Sequence, residues 1–269
     1  MSALVHALGA SVSSHFIVLV RSLIVLMVLL VISKYAGVQL FIWKPAVLWL
    51  RSVAGTLGTL TCFYAMTKLP VADAITIIHI FPLWVALLSW PLFGVLPNPG
   101  VWFSITCGIT GVVLLHPPHF EGVNIGTLAA VIGSFAAAVA LTGLHMLRGI
   151  DSRAIVIHFA IVLIPVSFLT LLVSTWKSGF TVPTDYSTWS KLLGVGGFAT
   201  CGQVAMTKAF TMGPPARVAV VALSQVAIAM LYDMIFWKRV FQGTTLVGIL
   251  LIVAPTAWIM LRDTIRNSG

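Results

Sequence analysis

From Ala74 to Phe120 the chain carries no Lys, Arg, Asp or Glu. A stretch of that length without charge cannot form the wet surface of a soluble domain, so it must lie in lipid. The rest of the chain follows: 8% of its 269 residues are charged, and the mean hydropathy is +1.09. Lipid offers no partner to a backbone N–H or C=O, so only α-helices or a closed β-barrel can cross it. The apolar runs are about 20 residues long, as a spanning helix requires. They are rich in Leu, Val, Ala and Gly and lack the strict alternation of barrel strands. The expected fold class is therefore all-α, a polytopic integral membrane protein.

Charges and helix breakers divide the chain into segments near 14–34, 48–68, 71–95, 99–116, 124–147, 153–175, 190–210, 214–237 and 243–261. That makes about nine transmembrane helices joined by short loops. The net charge of +9 is scattered singly at segment ends. It forms no patch or stripe, so no nucleic-acid partner is expected. Its distribution reads instead as topology. With Arg21 set aside, Lys34, Lys44, Arg51, Arg148, Arg153, Lys208, Arg217, Arg262 and Arg266 fall on one side, and Lys68, Lys177, Lys191, Lys238 and Arg239 on the other. The richer side is expected to be cytoplasmic. This places the C-terminus inside and residue 1 outside, in the cell (plasma or inner) membrane. Cys62, Cys107 and Cys201 all fall within predicted spans, where they are expected to pack as small apolar groups.

A shift of 144 residues superposes Gly58 on Gly202, Ala65 on Ala209, Pro70 on Pro214 and Ala72 on Ala216. Both stretches read as helix end, Pro-containing turn, helix start. The shift carries segment two onto segment seven. Five segments is an odd step, so the halves run oppositely through the membrane, as in inverted-repeat transporters. The same shift gives the fifth segment a partner that would precede residue 1. A complete version is therefore expected to have ten helices, with the first absent here.

Two stretches carry a family resemblance. One runs from Arg51 as RSVAGTLGTLTCFYAMTKLPVADAITIIHIFPLWVALLSWPLFG, followed by PNPG and ITGVVLLHPP. The other reads GQVAMTKAFTMGPPARVAVVALSQVAIAMLYDMIFWK, followed by LVGILLIVAPTAW. Both resemble the EamA repeat of the drug/metabolite transporter superfamily, over about Phe16 to Trp258. The family's acidic residue after its fourth and ninth helices is replaced here by Phe93-Gly94-Val95 and Phe236-Trp237-Lys238. The resemblance implies two inverted EamA-like repeats, residues 1–117 and 124–262, with a substrate cavity between them. The function it implies is secondary transport, in the outward direction, of a small organic metabolite by alternating access. A truncated, non-transporting membrane protein is the alternative.

Six residues are the expected substrate contacts: Arg21, Tyr64, His79, Trp84, Gln203 and Gln225. Arg21 sits roughly 10 Å into its span at 1.5 Å per residue, where a cation marks a cavity or a pair unless its stem snorkels out. Its candidate partners are Asp73 and Asp233, although Asp73 is also placed where a helix dipole favours an acid. No carboxylate lies near the midplane, which leaves His79 as the titratable group there. Gln203 and Gln225 bring amides into spans, where they bind solute or tie helices together. Tyr64 and Trp84, with Phe81, Trp90 and Tyr232, suit an aromatic cavity. Trp43, Trp49, Trp189 and Trp237 suit an interfacial belt. Pro82, Pro165 and Pro255 are expected to bend their spans. His145 and His158 are expected at the cytoplasmic interface.

No catalytic residue, cofactor or metal is expected. The group His116, His119 and Glu121 has two prolines between its histidines and no held geometry. No H-E-x-x-H, G-x-S-x-G or paired midplane aspartates support an intramembrane enzyme. The expected partners are a small organic solute and membrane lipid, with a homodimer as a possible assembly.

Overall fold

The computed structural model describes residues 8, 12–37, 40–69, 71–115, 125–178, 183–237 and 243–267. These form α1 (Ser14–Ala36), α2 (Ala46–Lys68), α3 (Val71–Ile78), α4 (Phe81–Phe93), α5 (Pro99–Leu115), α6 (Ile125–His145), α7 (Ser152–Ser178), α8 (Tyr186–Met212), α9 (Pro215–Trp237) and α10 (Gly243–Asn267). Helices α3 and α4 are one span interrupted at His79-Ile80, so the described residues hold nine helical spans and no strand. The spans agree with the sequence segments to within about four residues at each end, except that α10 runs on to Asn267, past the expected end at 261. Pro82 sits in the first turn of α4, where its missing N–H costs nothing. The expected bend is thus a break. Pro165 and Pro255 remain inside α7 and α10.

Helix starts are capped by short polar side chains. The Phe16 N–H donates to Ser13 Oγ at 3.4 Å, Val101 N–H to Asn98 Oδ1 at 3.0 Å, and Thr188 N–H to Asp185 Oδ2 at 2.8 Å. Each bond satisfies a donor that the first turn leaves open. At α7, Arg153 N–H donates to Asp151 Oδ1 at 2.8 Å, while the Arg153 guanidinium grips the same carboxylate through Nε at 3.0 Å and Nη2 at 2.8 Å. That side-chain bond holds the Asp151 carboxyl below the usual carboxylate range. The backbone bond from Thr188 does the same for Asp185. Gly37 and Gly94 close α1 and α4 at φ of 61° and 68°, a left-handed turn that a side chain would strain.

Within the helices, hydroxyls bond back to the carbonyl four residues earlier. Ser22 donates to Val18 O at 2.7 Å, Ser89 to Val85 O at 2.8 Å, Ser167 to Leu163 O at 2.6 Å and Thr256 to Ile252 O at 2.7 Å. A hydroxyl can therefore sit in lipid without a partner from another helix. Five spans are long and apolar enough to cross a membrane: Ser14–Lys34, Ala46–Met66, Asp73–Phe93, Ile125–His145 and Ser152–Trp176. Pro99–Leu115, Pro215–Ile228 and Gly243–Trp258 are shorter apolar helices. Their outward faces carry exposed Met27, Leu87, Phe103, Leu128, Leu169 and Leu250. Large apolar side chains exposed along helices of this length are lipid-facing.

The chain gathers into two compact units, each drawing on both halves of the sequence. One comprises Met1–Thr56 with Gly143–Met212, the other Leu57–Thr142 with Gly213–Gly269. In the first, α1 packs along α7 and α8. In the second, α5 lies along α10, and α9 along α4, α5 and α10. Lipid tails are as apolar as Leu, so close packing replaces the hydrophobic drive between such helices, and small residues permit it. A methyl added at Gly111 would meet the Gly248 carbonyl oxygen at 2.7 Å. Gly58 and Gly133 let α2 and α6 approach in the same way: a methyl on Gly58 would lie 3.2 Å from Ala137 N. Gly202, the repeat counterpart of Gly58, has no described atom within 4 Å of such a methyl.

Gly111→Ala should lower the unfolding midpoint of purified protein, with a cost of about 1–3 kcal/mol for overpacking. Gly202→Ala should leave it unchanged or raise it, since Ala is the better helix former. Thermal unfolding in detergent compares the two. For Asp151, a lowered folded pKa adds stability above the unfolded carboxylate pKa, and that stability is lost as pH falls through the folded value. The midpoint gap between wild type and Asp151→Asn should therefore be flat near neutrality and close in acid.

Candidate functional site

The first unit holds a narrow cleft with room for little more than a water molecule, lined by Arg21, Ser22, Val25, Val156, Phe159, Ala160, Leu163 and Gln203. Helix α1 supplies Arg21, α7 the apolar wall and α8 Gln203. The cleft thus brings together two of the six expected contacts. In this arrangement it is far too small to enclose an organic ligand, whose pockets hold roughly 300–1,000 Å³.

Phe159 links this cleft to a polar crossing of α2 and α7. The Arg51 guanidinium lies over the Phe159 ring, 4.1 Å from its centroid. One residue on, Ser52 Oγ and His158 Nδ1 are 2.8 Å apart. The His158 ring is held edge-on by Trp49 and Trp43, at centroid distances of 4.6 and 5.7 Å. Gly55 makes room for the guanidinium: a methyl there would lie 3.1 Å from Arg51 Nη1 and 3.0 Å from Phe159 Cε2. Arg51 is 4% exposed, and neither its Nε nor its Nη1 finds a hydrogen-bond acceptor among the described residues. His158 Nε2 and Thr56 Oγ1 are likewise buried without partners.

These positions add to two expectations. Arg51 is counted above only as a cation of the cytoplasmic side, and His158 as an interfacial group. The structure buries both in a helix crossing, because α7 offers an aromatic face to one and α2 a hydroxyl to the other. Their signal in the sequence is an Arg-Ser pair just inside an apolar span and a His deep in the start of another. His145 does lie at a helix end, where Arg148 Nη2 approaches its Nδ1 at 3.3 Å.

The second unit holds another pair of expected contacts. His79 occupies the break between α3 and α4, with Nδ1 2.8 Å from the Ile75 carbonyl. A carbonyl only accepts, so Nδ1 carries the proton, and Nε2 accepts from the Gln225 amide at 3.4 Å. Trp84 is committed to α6: its N–H donates to Ser134 Oγ at 3.0 Å, and Ser134 donates on to the Val131 carbonyl at 2.9 Å. Its ring meets Phe135 edge-on at 5.6 Å. Tyr64 is exposed on α2, and Asp73 is buried near the start of α3. The Tyr232 and Asp233 side chains, and the group His116, His119 and Glu121, lie outside the described residues.

Among the described residues, nine helical spans with large apolar side chains exposed along them define a polytopic membrane protein. The chain belongs to the EamA-like transporter family, whose pattern it matches over residues 2–116 and again over residues 124–261. It is 28% identical over 254 residues to the pseudopaline exporter CntI of Pseudomonas aeruginosa, covering 94% of this chain and 88% of that one. It is 26% identical over 234 residues to human solute carrier family 35 member G1, covering 81% of this chain and 63% of that one. A solved crystal structure with 18% sequence identity covers 96% of this chain at a TM-score of 0.83, and 91% of its own, a likeness of fold. The chain is a membrane transporter of small molecules by family.

The Trp84–Ser134 bond should show as coupling. In a double-mutant cycle, Trp84→Phe and Ser134→Ala should be non-additive by about 0.5–1.5 kcal/mol. Strict additivity of their unfolding midpoints would mean that the bond contributes nothing.

Proposed function

We propose that the chain is a secondary transporter that exports a small organic metabolite by alternating access, without altering it chemically. The repeats, residues 1–117 and 124–262, are threaded oppositely through the bilayer and exchange between two arrangements. The observation that carries this reading is the family match, which falls once on each half of the chain. Similarity to a protein named as an exporter supports the direction. The residues taken as solute contacts are Arg21 and Gln203 in the first unit, and His79, Gln225, Tyr64 and Trp84 in the second. The positive-inside bias supports a cytoplasmic C-terminus in the cell membrane.

Counterflow in proteoliposomes tests transport. Vesicles preloaded with a candidate metabolite should accumulate the labelled compound, with pseudopaline as the first choice because a relative is named for it. Arg21→Gln and Gln225→Leu should each cut the initial rate several-fold. Topology is tested separately: reporters placed between residues 34 and 44 and between 177 and 191 should report from opposite faces. Appearance on the same face would end the inverted-repeat reading.

A further inference from the structure

The first unit has an uneven charge account. It contains nine Lys and Arg but two acids, Asp151 and Asp185. Both acids are occupied at helix starts, Asp151 by Arg153 and Asp185 by the α8 backbone. Neither neutralises Arg21 or Arg51. Arg51 is the sharper case. It is buried, rests on an aromatic ring and keeps two donors without acceptors. Hydroxyls such as Ser22, Ser167 and Thr200 are satisfied by their own backbone, and those left open, such as Ser33 and Thr56, are neutral, so an open guanidinium is the costlier exception. A charged group left open against that background is a binding group waiting for an acceptor.

The geometry fits a planar anion. A guanidinium presents parallel N–H donors in a fork that matches a carboxylate, and a charged acceptor makes these bonds stronger. Phe159 has Arg51 over its ring and also forms part of the wall of the cleft containing Arg21 and Gln203. Gly55, lacking a side chain, lets Nη1 lie close against the α2 backbone. His158 adds a second unpartnered nitrogen on the same crossing, its ring fixed by Ser52, Trp43 and Trp49. We infer that Arg51, stacked on Phe159, forms a subsite for the carboxylate of a small organic anion, with Arg21 contributing from the cleft that Phe159 also lines. Arg51 is the primary contact, and His158 is a positioning residue beside it. The donors of Arg51 are closed off in this arrangement, so the anion reaches them when the α2–α7 crossing loosens. As a statement about binding, the inference does not require transport. As a statement about cargo, it rests on the transporter reading.

The test uses the purified full chain in lipid nanodiscs, with unfolding midpoints and calorimetric binding as readouts. The probes are acetate, succinate and citrate, against inorganic phosphate, a quaternary amine and a neutral sugar. At least one carboxylate should bind saturably and raise the midpoint. Arg51→Gln should weaken it about 30-fold or more, the usual loss when one partner of a buried charge pair is truncated. Arg51→Lys keeps the charge but loses the fork, and should fall between. Lys34→Gln, which changes an exposed cation of the same unit, should bind as wild type does. If Arg51→Gln fails to fold, the wild-type probe order and the Arg51→Lys loss decide instead. Binding of the amine, the sugar or phosphate where no carboxylate binds overturns the subsite, as does carboxylate binding that Arg51→Lys and Arg51→Gln leave intact. A transported solute that carboxylates fail to compete with would overturn the subsite and leave the transporter reading standing. Arg51-dependent carboxylate binding with no solute moving would do the reverse.

Discussion

Lipid has no hydrogen bonds to give, and this one constraint organises the molecule. Each backbone N–H and C=O must find its partner inside its own segment, so the spans are helices. The same rule reaches the side chains. Ser22, Ser89, Ser167 and Thr256 turn their hydroxyls back on their own helix. Helices so self-sufficient have little to attract them to one another except shape. The glycines supply it: Gly111 lies against Gly248, and Gly58 and Gly133 join α2 to α6. The polar groups that break the rule, Arg51 and His158 above all, therefore stand out chemically.

Much of the fold was legible because lipid imposes it locally. A spanning helix is marked by its own composition, and its ends by Lys, Arg, Pro and Gly. The segments written from the sequence accordingly meet the helices within a few residues, the end of α10 apart. Pro82 announced a disturbance in the third span but not its form. Whether a proline bends or breaks a helix depends on what packs around it, and here the helix stops at His79-Ile80.

The candidate site was less legible, for a non-local reason. Arg21 drew notice because its depth follows from counting along one helix. Arg51 escaped it because, by counting, it stands near an end. Its burial is decided by Phe159 and Gly55, one of them more than a hundred residues away. Trp84 is a similar case, since its bond to Ser134 on α6 has no trace in its own neighbourhood. The pairings Arg21 with Gln203 and His79 with Gln225 were likewise invisible as pairings, although each residue was named. Single-helix features can be read from a string, whereas partners across helices cannot.

The interruption at His79-Ile80 has a mechanical corollary. A continuous helix behaves as a stiff rod and passes displacement from one end to the other. Two short rods joined by a pair of residues do not. Here α3 and α4 both touch α5, and α4 packs along α9 as well. The third span is thus jointed between two rods that share one neighbour, with an imidazole at its elbow.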